Sequence, residues 1–175
     1  MKKSIIIITL LALVALTGQA KIFKTIKSPE AMACLNVWGE FKAREVIMRD
    51  TATTVHFTMQ KEKGQSFRFA SDSYLMDEDG NRYPLRSADG IALDAWVQSP
   101  ESGITHFTMH FEPMPKKVQV FDYIEGDEKG SFRLLGIHDK KYKVNVPRYK
   151  NCQRLIPIQY LPIGLRQIPL LSEGA

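Results

Sequence analysis

The chain has 175 residues, 44% of them hydrophobic and 25% charged, with a formal net charge of +5. That is enough for one domain with a working core, without metal or disulfide staples. The positive charge lies at the end: residues 21–138 hold 15 Lys and Arg against 17 Asp and Glu, and residues 139–175 hold 7 against 2. A nucleic-acid reader needs a basic stripe with interleaved aromatics on its folded part, so that partner class is set aside.

Residues 1–20, MKKSIIIITLLALVALTGQA, place Lys2 and Lys3 ahead of an apolar run from Ile5 to Leu16 and close on Gly18-Gln19-Ala20. This is the layout of a secretory signal, cleaved after Ala20. The run is shorter than the about 20 apolar residues that span a bilayer, so the membrane is met only during export. The expected location is the periplasm or the cell exterior. Residues 21–33 read as a lead-in, and Ser28-Pro29-Glu30 resembles a cap with proline at the first helical position, which predicts a short helix over 28–34.

From Cys34 the hydrophobic pattern has period two. Val55, Phe57 and Met59 alternate with Thr54, His56, Thr58 and Gln60, and Phe107, Met109 and Phe111 alternate with His106, Thr108 and His110. Further strands are predicted over 35–38, 44–48, 67–69, 73–76, 82–85, 92–97, 118–123 and 132–137, separated by turn signals such as Lys63-Gly64 and Pro113 with Pro115. Short strands at this spacing, without a convincing helix between them, predict an all-β domain over 34–138. The expected architecture is an antiparallel, immunoglobulin-like β-sandwich of seven to nine strands, with a small barrel as the alternative.

The stretch LMDEDGNRYPL, residues 75–85, concentrates carboxylates around a glycine. A twelve-residue calcium loop counted from Asp77 needs glycine at its sixth position and glutamate at its twelfth, where this chain has Arg82 and Ala88. Asp79-Gly80-Asn81 instead suits a tight hairpin. His106 and His110 have helical zinc spacing, but on a strand their rings stand roughly 13 Å apart. His56, on the exposed face of another strand, either meets one of them across a ladder or joins them as polar surface. Hydrolase and phosphate-loop signatures are missing, and neither cysteine belongs to a Cys-x-x-Cys pair. No catalytic residue, metal or cofactor is expected. Cys34 and Cys152, 118 positions apart, either form a disulfide, contributing up to about 4–5 kcal/mol, or stand as separate thiols.

Trp38, Trp96, Tyr74 and Tyr83 are either packing aromatics or a platform for a glycan or peptide. Trp96 and Trp38 are the candidate ligand-binding residues. Trp96 is the stronger of the two because it precedes the polar loop 98–103, where an exposed ring would meet a partner.

Residues 50–57 (DTATTVHF), 74–85, 100–103 (PESG), 111–115 (FEPMP) and 121–126 (FDYIEG), with 132–137, together resemble an immunoglobulin-like β-sandwich module of exported bacterial proteins. That module often precedes a thioredoxin-like disulfide oxidoreductase domain. The resemblance covers 34–138 and implies a fold and a neighbour rather than an activity. The chain departs from the pattern after Ile137, since Cys152 has no second cysteine three positions on. The tail, 139–175, is basic, apolar and broken by Pro157, Pro162 and Pro169. Three readings of it stand: a strand or cap along the sandwich, a partner- or membrane-binding segment, or the irregular remnant of a truncated longer protein. The functional expectation is a non-catalytic exported interaction or accessory module with a protein or glycan partner. The alternatives are a glycan- or peptide-binding module using Trp96 and the 98–103 loop, and a fragment of a thiol-disulfide oxidoreductase.

Overall fold

The computed structural model describes residues 20–37, 39–128 and 130–144. Residues 1–19, on which most of the expected leader falls, Trp38, Lys129, and residues 145–175 of the tail with Cys152 lie outside the described residues.

Alternation along the strands decides which face is wet. In β1 (Ile22–Lys27) Ile26 is buried, in β2 (Ala33–Leu35) Cys34 packs half-buried against the core, and in β3 (Glu40–Arg49) Phe41, Val46 and Met48 turn inward. In β4 (Thr53–Gln60) the inward set is Val55, Phe57 and Met59. After the two-residue β5 (Ser66–Phe67) come β6 (Tyr74–Asp77), β7 (Arg82–Asp89) and the two-residue β8 (Val97–Gln98). Then follow β9 (Ile104–Phe111), β10 (Val120–Ile124) and β11 (Arg133–His138).

The main sheet is antiparallel, in the order β1-β3-β4-β9-β7-β6-β10-β11-β2. It folds over at β7, whose residues 82–84 pair with β6 while 85–89 pair with β9 across a register shift between Leu85 and Ser87. The result is an all-β sandwich. Its order ends on β1 and β2, which do not pair with each other among the described residues, so the sheet is open rather than a closed barrel. Gly39 starts the crossing from one layer to the other with φ +110°, and a Cβ there would stand 2.2 Å from the Gln60 carbonyl oxygen.

Aromatic rings from both layers fill the space between them. Phe57 and Tyr123 are 5.2 Å apart, Phe41 and Phe57 5.0 Å, and the stack continues through Phe107 to Phe69 at 4.9 Å and on to Phe132 at 5.5 Å. The fully buried Tyr123 hydroxyl is 3.1 Å from the Ser73 Oγ, which gives this polar atom the partner that burial demands.

Three sequence expectations change. No helix forms over 28–34: Glu30 bridges His138 through N–H···O bonds of 3.0 and 2.9 Å, and 33–35 joins the sheet as β2, so strand pairing overrides the local cap. Residues 22–27 are more than a lead-in, since they pair with β3. The strand expected over 92–97 shrinks to Val97–Gln98, because Asp94 takes φ +57° and turns the chain.

The acidic stretch closes the β6–β7 hairpin. Gly80 supplies φ +84°, and the buried Asp77 carboxylate accepts the amides of Asp79 at 3.0 Å and Asn81 at 2.9 Å and the Tyr83 hydroxyl at 2.7 Å.

Candidate functional site

The short ribbon of β5 and β8 presents Trp96. Phe67 pairs with Val97, both turned toward the core, so one position further along the same register Arg68 and Trp96 belong to the outward face. Trp96 is 73% exposed, the most exposed large apolar side chain among the described residues.

Beside the indole lies a cleft of about 680 Å³, within the roughly 300–1,000 Å³ range of small-ligand pockets. One wall is the segment 66–72, and the other is the connection from β10 to β11. Phe67 and Phe132 line it, so the aromatic core extends into its floor.

Two carboxylates hold the walls. Glu125 accepts the Ala70 amide at 3.2 Å through Oε1 and the Phe132 amide at 2.8 Å through Oε2, tying one wall to the other. Burial holds its carboxyl above the usual carboxylate range, against the opposing pull of those amides and of Arg68. Asp94 accepts the Ser71 amide at 3.0 Å and donates its own amide to the Phe69 carbonyl at 2.8 Å. Its bonds to Ser71 hold its carboxyl below the usual range. The remaining polar lining includes Arg68, Asp72, Lys61 and the hydroxyls of Ser66 and Ser71. Burial lowers the Lys61 ammonium.

The 98–103 loop, paired with Trp96 on sequence grounds, does not line this cleft. Its backbone is spent on the 61–65 turn: Ser99 donates N–H to the Gln65 carbonyl at 2.9 Å and its hydroxyl to the Lys61 carbonyl at 3.0 Å, and Lys61 donates to Gly103 at 2.9 Å. Sequence reasoning missed the 66–72 wall and Glu125. The available signal was the charge set Arg68, Asp72 and Glu125 bordering aromatic runs, a pattern that a surface strand does not need.

Three of the four histidines occupy the outer face of the other layer, while His138 is buried in β11. His56, His106 and His110 each meet a threonine across the β4–β9 ladder, with Nδ1 to Oγ1 distances of 2.8 Å to Thr108, 3.0 Å to Thr58 and 3.2 Å to Thr54. His110 Nε2 is 2.8 Å from the Asp89 carboxylate. Among the described residues no group of three or more His, Cys, Asp or Glu is placed to hold a metal ion. Cys34 lies in β2 opposite Leu134, and its proposed partner Cys152 falls outside the described residues.

Comparison of the chain with protein-family models, with curated proteins and with solved structures finds no match.

Proposed function

We propose that this protein is a non-catalytic binding module whose ligand lies in the cleft beside Trp96. The observation that carries this reading is the exposure of the Trp96 indole at the rim of a concave, mixed-polarity cleft, while most other large aromatics among the described residues are sunk in the core. An indole in water forgoes most of its hydrophobic stabilisation, and a bound ligand restores it. The role of Glu125 fits binding better than catalysis, since both its oxygens are already engaged with backbone amides. The exported setting is part of the proposal and rests on the leader in residues 1–20.

The test is a glycan and peptide array probed with the wild type and with Trp96→Ala. Binding that disappears in the variant supports the reading, and equal binding by the two proteins overturns it.

A further inference from the structure

Building on that reading, we infer that the ligand is a neutral glycan, stacked by a sugar C–H face on Trp96 and held through its hydroxyls by the polar groups along the cleft. The lining mixes donors with acceptors instead of presenting one sign of charge. Arg68 and Lys61 donate, Asp72, Asp94 and Glu128 accept beside the already engaged Glu125, and the Ser66 and Ser71 hydroxyls do both. A sugar hydroxyl is also donor and acceptor at once, so such a set can satisfy a row of them. An acidic peptide would bring its carboxylates against Asp72, Asp94, Glu125 and Glu128, and a basic one its ammonium groups against Arg68 and Lys61. Neutral ligands made of pyranose rings also have the remaining property required here, an apolar face broad enough to cover an indole.

The inference separates from its alternatives by charge and by salt. The probes are the β-1,4-linked and α-1,4-linked glucose tetramers, the β-1,4-linked mannose tetramer, and the capped peptides tetralysine, tetraglutamate and tetraserine. Each is titrated by calorimetry at low and high sodium chloride. The result expected is binding of a neutral tetrasaccharide with a Kd that salt leaves unchanged, since screening acts on charge pairs. Trp96→Ala abolishes that binding, and Arg68→Ala and Asp72→Ala, both at exposed positions, each weaken it about tenfold, the worth of one hydrogen bond to a charged group. Asp89→Ala, on the other layer, leaves it unchanged. Trp96-dependent binding of tetralysine, tetraglutamate or tetraserine with no tetrasaccharide bound overturns the glycan inference while leaving the cleft as the binding site. No Trp96-dependent binding to any of the six probes overturns both.

Discussion

The Asp94 carboxylate accepts the Ser71 amide at 3.0 Å while the Asp94 amide donates to the Phe69 carbonyl at 2.8 Å. This pair of bonds clips the turn before Trp96 onto the 69–71 segment, and it does so with Asp94 at φ +57°. Aspartate tolerates that left-handed conformation because its short polar side chain bonds locally, and alanine does not.

The substitution order at Asp94 follows. Asp94→Ala loses the acceptor and adds backbone strain, Asp94→Gly loses only the acceptor, and Asp94→Asn keeps an oxygen and accepts the conformation. Melting temperature and Trp96-dependent binding both fall most for Ala, less for Gly and least for Asn, as thermal melts and titrations of the three variants would measure.

Glu125 makes stability depend on pH in a recognisable direction. Its folded-state pKa is raised, so its contribution is fully present below the unfolded value and is lost as pH rises through the folded one. Glu125→Gln carries a constant penalty, because its NH2 end meets an amide donor, but it does not titrate. In urea unfolding from pH 4 to pH 7, the wild type loses stability relative to this variant as pH rises.

Asp77 acts in the opposite sense. Burial pushes its carboxyl up, but the bonds from Asn81, Tyr83 and the Asp79 amide outweigh burial and hold it below the usual range. Its contribution is therefore present above the unfolded pKa and is lost as pH falls through the folded one. Asp77→Ala costs about 2–3 kcal/mol at neutral pH, since several bonds to a buried charge are lost together. The gap between wild type and variant narrows as pH falls into acid, which chemical denaturation across that range would measure.

Tyr123 separates polar from packing terms. Tyr123→Phe removes one buried hydroxyl contact but leaves the Ser73 hydroxyl donating to the Ala70 carbonyl at 2.6 Å, so the cost is about 1 kcal/mol. Tyr123→Ala empties the contact between the two layers and costs about 3–5 kcal/mol. Equilibrium unfolding of both variants measures the difference.

The strands β4 and β9 were legible in sequence because each has one wet face and a regular inward set, whereas β1 buries only Ile26 and gave no such alternation. The hairpin at Asp79-Gly80-Asn81 was legible for a local reason, the conformational freedom of Gly80. Trp96 could be singled out by its flanking loop, but its surroundings could not. The cleft walls come from segments 66–72, 125–128 and 130–132, far from Trp96 in sequence and joined by Glu125 accepting the Ala70 amide from 55 positions away. Pairing of that kind has no period. For the same reason Glu30 could not be seen bridging His138, and a local helix cap was read at Ser28 instead.

The central claim is that Trp96 and its cleft form the binding site. Its most direct measurement is a ¹H–¹⁵N titration with the tightest-binding glycan or peptide from the array, following the Trp96 indole N–H, assigned by its loss in Trp96→Phe, and the amides of Ser71, Ala70 and Phe132. The result expected is that these signals shift together and saturate at the Kd measured by calorimetry. A saturating ligand that shifts amides elsewhere and leaves the Trp96 indole and those three amides in place would contradict it.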